Sequence, residues 1–205
     1  SIEGPWTDPI LIPIPGFDPS LFHDSNGQKY VIYREWGPLH HSNPYNRIVL
    51  QQYDECTHTL YEEKTVLFTG TQRKFTEAPH IYKRNGFYFL IVAEGGTGYQ
   101  HAVTVLRSRT IIGPYTLHPE ETILCPSEHP SFYKTGHGSL LCTHSDEWYM
   151  VFLASRPITG ELTERNASGL YCPLGRETAI ANIIWKEDWP YTPTGQRSAL
   201  AVPGP

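Results

Sequence analysis

Three side chains with acid–base chemistry stand at matching points of three similar segments. They are Asp18 in FDPSLFHDSNGQKYVIY, Glu77 in TEAPHIYKRNGFYFLIV and His137 in GHGSLLCTHSDEWYMVFL. Each lies nine residues ahead of a turn residue (Gly27, Gly86 and Asp146), and the three are 59 and 60 positions apart. Two carboxyl groups held close together cannot both ionise freely, so one is pushed to keep its proton towards neutral pH. A protonated carboxyl beside a carboxylate is the equipment of a general acid, and a nearby imidazole adds a hydrogen-bonding group. All of this depends on a fold that makes the three meet.

Each segment reads as a short apolar strand, a polar turn and a second strand rich in aromatic and β-branched residues, which is the signal of an antiparallel hairpin. A second marker repeats too: IEGPW at Ile2–Trp6 and IIGPY at Ile111–Tyr115 are 109 positions apart, close to two repeat lengths. Periods of this size, with four short strands each and no convincing helix between them, predict an all-β protein built as a β-propeller. Stacked layers of a sandwich are the alternative. In a propeller the innermost strand of every blade lines the axis, so residues at its start converge at one end of a central channel.

The bulk numbers agree with such a fold and exclude several classes of partner. The chain has 205 residues, 13% of them aromatic, with 17 glycines and 18 prolines, as expected of turns and short strands rather than helices. A net charge of −5 with scattered basic residues leaves no footprint for nucleic acid. No apolar run approaches the roughly 20 residues that span a bilayer, and no leader is visible. Cys56, Cys125, Cys142 and Cys172 stand far apart without a CxxC pair, so they are expected as reduced cysteines packed as small hydrophobes. Asn166-Ala167-Ser168 is a glycosylation sequon of a kind common by chance. The expected location is cytoplasmic, with secretion as the alternative.

PGFDPSLFHDSNGQKY, FTEAPHIYKRNGFYFLIVAEGGTGYQHAVT, GPYTLHP, KTGHGSLL, DEWYMVFLASRP and YCPLGRETAI together resemble the β-xylosidases of glycoside hydrolase family 43, in order and at matching spacing from about Ile2 to Trp189. The resemblance implies a five-bladed β-propeller, present here as an incomplete set of blades, about three plus part of another. Residues 1–191 would form the catalytic propeller and 192–205 a linker or tail. The implied activity is inverting hydrolysis that releases xylose from the non-reducing end of β-1,4-xylo-oligosaccharides. Some relatives also release α-L-arabinofuranose.

Carried onto this chain, Glu77 matches the general acid and Asp18 the carboxylate that orients it and modulates its pKa. Arg176 matches an arginine that binds sugar hydroxyls, His137 an axial histidine, Trp36 a tryptophan against the sugar, and Thr97 a loop residue near the acid. The general base, an aspartate in a PDPS-like motif on a first blade, has no counterpart here. The expectation is therefore a companion N-terminal segment. No cofactor is required, although in some relatives the axial histidine accompanies a structural or activating Ca2+ ion. Each residue also has a plainer reading. Asp18 could cap its Asp-Pro turn, Arg176 could pair with Glu177, Trp36 could pack between blades, and His137 could be a hydrogen-bonded channel histidine. Glu94 in AEGGT reads as structural. Around Trp36 and at Gln100 the chain departs from a common branch of the family, so substrate identity is less fixed than reaction type. A non-catalytic sugar-binding propeller and an arabinan-directed relative remain the alternatives.

Overall fold

The computed structural model describes residues 1–37, 47–125, 132–156 and 172–192. The sequon and, beyond Thr192, the expected tail lie outside the described residues. All regular structure described is strand, in three four-stranded antiparallel sheets. The first holds β1 (Gly16–His23), β2 (Lys29–Glu35), β3 (Ile48–Asp54) and β4 (Thr59–Phe68). The second holds β5 (Glu77–Arg84), β6 (Phe87–Glu94), β7 (Ala102–Ser108) and β8 (Thr116–Leu124). The third holds β9 (Tyr133–Cys142), β10 (Trp148–Ser155), β11 (Glu177–Lys186) and β12 (Trp189–Tyr191). Within each sheet the strands follow one another in sequence order, and the first strands β1, β5 and β9 touch in turn. These are three propeller blades with their inner strands side by side. Residues 1–15 add no strand, though Gly4 and Gly113 of the repeated marker share φ values of +89° and +87°.

The hairpins close through residues that accept a left-handed backbone. Asn85-Gly86 joins β5 to β6 with φ of 50° and 72°, the two-residue turn that matches strand twist. The β1–β2 and β9–β10 turns are longer and alike: Gly27 N–H donates to Asp24 and Asp146 N–H to Thr143, both at 3.0 Å.

The unbroken apolar run of β6 follows from its position in the central blade, where both sheet faces are covered. Leu90 and Val92 face the first blade, packing with Phe22, Ile32, Ile48 and Leu50. Phe89 and Ile91 face the third, packing with Leu140, Met150, Phe152 and Trp189. All four β6 residues are fully buried. At about 25 cal/mol per Å2 of apolar surface removed from water, these two seams dominate the cohesion of the blades.

Polar contacts pin the same seams at the turn end. Between blades one and two, the Asp24 carboxylate accepts from Lys83 Nζ at 2.5 Å and from Tyr88 Oη at 2.6 Å. Between blades two and three, Arg107 lies 4.0 Å over Trp189 and 4.5 Å over Phe87, while its Nη1 donates to the carbonyls of Glu187 and Asp188, each at 2.8 Å. Arg84 covers Trp185 at 4.4 Å.

The cysteines are all free, but only Cys125 is packed as a small hydrophobe. Cys56 and Cys142 are exposed because they fall in or beside turns, where no sheet covers them.

Burial pushes the Asp24 pKa up, but the bonds from Lys83, Tyr88 and Ser25 N–H outweigh it and hold the group below the ordinary carboxylate range. A depressed carboxylate stabilises the fold above its unfolded pKa, and that contribution is lost as pH falls through the folded value. Lys83→Met should cost about 1–3 kcal/mol in urea unfolding at neutral pH, because it leaves the buried carboxylate short of a donor. The cost should shrink in acid, where Asp24 is protonated in both proteins.

Candidate active site

Each inner strand carries a bulge at the same height. Phe17 pairs with Arg34 and Ser20 with Ile32, so Asp18-Pro19 oppose a single residue. Glu77 pairs with Ala93 and His80 with Ile91, which leaves Ala78-Pro79 as the bulge of β5. Gly136 pairs with Leu153 and Ser139 with Val151, which leaves His137-Gly138 in β9. The first residue of each bulge is left-handed: φ is 50° at Asp18, 50° at Ala78 and 53° at His137. Asp18 and His137 are thus equivalent, but their counterpart in the middle blade is Ala78. Glu77 stands one residue earlier, beside Phe17 and Gly136. Alignment on the turns hides this offset because the β5–β6 turn is shorter than the other two.

The two carboxylates meet all the same, through the backbone. Asp18 Oδ2 accepts from the N–H of Ala78, the residue after Glu77, at 3.0 Å. Ser20 Oγ donates to the Pro79 carbonyl at 2.5 Å. Asp18 therefore fixes the chain that carries Glu77. The Glu77 side chain is 18% exposed, with Arg34 Nη1 3.7 Å from its Oε2. Burial raises the Glu77 pKa and the nearby Asp18 charge adds to the rise, while Arg34, His137 and Arg176 oppose it. The net shift is upward, so this carboxyl holds its proton to higher pH than an ordinary glutamate. Those same interactions bring Asp18 of the first blade and His137 and Arg176 of the third to Glu77 of the second.

The remaining residues divide into those at the rim and those beneath. Trp36 is 61% exposed and rests on Phe17 with ring centroids 4.7 Å apart. Phe17 and Trp36 belong to the same blade, so this stacking lies within the first sheet's own segment. Arg176 is exposed, and Glu177 pairs with Arg156 instead, at 2.5 and 2.9 Å. Thr97 is exposed in the loop after β6. Glu94 is fully buried and accepts from Thr71 N and Oγ1, Thr76 Oγ1 and Thr104 Oγ1 at 2.7–2.9 Å, which anchors the segment leading into Glu77. Its structural role is as expected.

Three residues near Glu77 escaped sequence reading. Arg34 sits inside β2 like any strand arginine. Its signal was positional: Ala93 and Leu153 occupy the equivalent places in the other blades. His80 follows Glu77 by three residues and contacts Ser139 Oγ at 3.2 Å; burial, with His137 adding to it, pushes its imidazole pKa down. His101, also depressed by burial, donates from Nδ1 to the Lys134 carbonyl at 3.0 Å. The His101 ring explains a glycine of TGHG, since a Cβ on Gly136 would lie 2.3 Å from it.

Calcium takes six to eight oxygens, and among the described residues no group of three or more His, Cys, Asp or Glu side chains gathers.

Glu77 and Asp18 thus stand together at the starts of neighbouring inner strands of a propeller, and the exposed Trp36 ring lies on Phe17, the residue before Asp18. Residues 1–190 match the model of glycosyl hydrolases family 43, and the chain belongs to that family. Among curated proteins it is 55% identical over its whole length to 39% of "Putative beta-xylosidase" of Escherichia coli K12. It is 44% identical over 98% of its length to 36% of xylosidase/arabinosidase 43B of Humicola insolens. The solved xylan β-1,4-xylosidase of Bacillus halodurans C-125 superposes with a TM-score of 0.87 at 42% identity, over 98% of this chain and 37% of that one. The chain therefore spans under two-fifths of the length of these relatives.

A raised carboxyl pKa disfavours the folded state as pH climbs through it. Glu77→Gln should therefore gain thermal stability relative to the parent between acidic and neutral pH, with the gap opening as Glu77 ionises. Gly136→Ala should lose about 1–3 kcal/mol in urea unfolding through overpacking against His101, and His101→Ala in the same chain should recover part of it.

Proposed function

We propose that this chain is the acid-bearing part of an inverting exo-glycosidase that releases xylose from the non-reducing end of β-1,4-xylo-oligosaccharides. The observation that carries the reading is the partly buried, proton-retaining Glu77 beside a carboxylate whose Oδ2 is held by the next residue's N–H. The names of the relatives supply the sugar.

In the proposed reaction, Glu77 donates its proton to the glycosidic oxygen as the bond to the anomeric carbon breaks. A water attacks that carbon from the opposite face and gives its proton to a second carboxylate, about 6.5–9.5 Å from the acid. Asp18 supports the protonated acid by its charge and fixes the backbone after it. Its bond to Ala78 and its closeness to Glu77 fit a supporting role rather than that of the base. The base is proposed to come from sequence outside this chain, on a companion N-terminal segment. Arg176 offers a fork of donors to neighbouring sugar hydroxyls, and Trp36 offers an apolar face to the ring's C–H surface. The Humicola relative's name also supports an arabinoside as a second substrate of the same machinery.

Aryl xylosides of graded leaving groups test the acid. In the intact natural protein, Glu77→Ala should lower kcat by about 10²–10⁴-fold on poor leaving groups and far less on good ones. Equal losses on both would remove Glu77 from the role. No hydrolysis by the parent of either aryl xylosides or aryl arabinofuranosides would favour the sugar-binding alternative.

A further inference from the structure

We infer that Arg34 is a positioning residue for the acid: its guanidinium joins the Glu77 carboxyl of the second blade to the Phe17–Trp36 platform of the first. The inference rests on Glu77 being the acid and adds a residue to its control.

Three observations meet at this side chain. Its Nη1 lies 3.7 Å from Glu77 Oε2, and both side chains are largely buried, at 15% and 18% exposure. Its guanidinium carbon lies 4.8 Å over the Phe17 ring, and Phe17 in turn packs on Trp36 at 4.7 Å. Its place in the blade holds Ala93 and Leu153 in the other two, so the fold itself does not demand a charge there. A guanidinium drawn from water at a position that accepts an alanine or a leucine loses hydration, which the Glu77 carboxyl and the Phe17 ring help to offset.

The ion-pair geometry suits a group that must both hold and release a proton. Arg156 grips Glu177 with two short hydrogen bonds, and that carboxylate is held ionised. Arg34 stands too far from Glu77 Oε2 for a directed hydrogen bond there, yet close enough for its charge to act. Burial and Asp18 favour the protonated form, and Arg34 limits how far they succeed. As the proton leaves for the substrate, the same charge stabilises the carboxylate that forms. The stack then ties this function to occupancy: a sugar ring on Trp36 rests on the plate that supports the guanidinium. Lysine could supply the charge but not the flat stacking surface.

The test uses the intact natural protein with 13C-labelled glutamate, reading the Glu77 titration by NMR and the pH dependence of kcat/KM on an aryl xyloside with a poor leaving group. Arg34→Met removes a positive charge, so Glu77 should titrate at higher pH and the alkaline limb should move the same way. Arg34→Gln should do likewise, and covers a Met variant that fails to fold. Arg34→Lys should keep the titration near the parent's while raising KM, and Asp18→Asn should move titration and limb to lower pH. A folded Arg34→Met or Arg34→Gln protein with unmoved titration and limb overturns the inference alone, leaving Glu77 as the acid. A Glu77→Ala protein without leaving-group dependence overturns the acid assignment, and the role of Arg34 with it.

Discussion

The site hangs on one extra residue in each inner strand. A bulge sets two residues against one, and here the first of the pair is left-handed in all three blades. For residues other than glycine that conformation costs about 1–3 kcal/mol, and it persists because bonds between blades offset it. Asp18 reaches the Ala78 amide, Ser20 the Pro79 carbonyl, and Ser139 the His80 ring, each link about one blade-length apart in sequence. The bulges turn these side chains from their own sheet towards the neighbouring blade. A regular ladder would leave each blade's polar groups to itself.

Around that frame the Glu77 carboxyl is held in balance rather than driven to one state. Burial and Asp18 push Glu77 towards the neutral form, while Arg34, His137 and Arg176 pull the other way. Each comes from a different element: Arg34 from β2, His137 from the β9 bulge, Arg176 from the approach to β11. The proton affinity of one carboxyl is therefore a property of all three blades packed together. Neutral His80 and His101, depressed by burial, fill the space beneath without adding charge.

Much of this was legible in the sequence, for a physical reason. Hairpins declare themselves through local alternation and turn residues, so the three blades and their order could be read from FDPS, TEAPH and GHGS. The convergence of Asp18, Glu77 and His137 followed from blade geometry. Their register did not, because it depends on hairpin length: the two-residue Asn85-Gly86 turn replaces a five-residue one and slides Glu77 one place from Asp18. Arg34 was hidden for a similar reason. Nothing local separates it from a surface arginine, and only pairing with Phe17 reveals that its equivalents are Ala93 and Leu153. Gly136 marks a close approach, needed by a histidine 35 positions upstream, that no local pattern announces.

The seam between the second and third blades has a different character from the one before it. Guanidinium groups stay charged at any pH a protein survives, aromatic quadrupoles do not titrate, and the carbonyls that receive Arg107 carry no ionisable proton. The Arg107 stack is thus indifferent to acid, whereas the lysine–aspartate clasp of the neighbouring junction is not. The second seam also carries groups that respond, Asp188 beside Arg84 and the His80 and His101 bonds to the third blade, so souring the solvent would reach both junctions and leave the stack untouched.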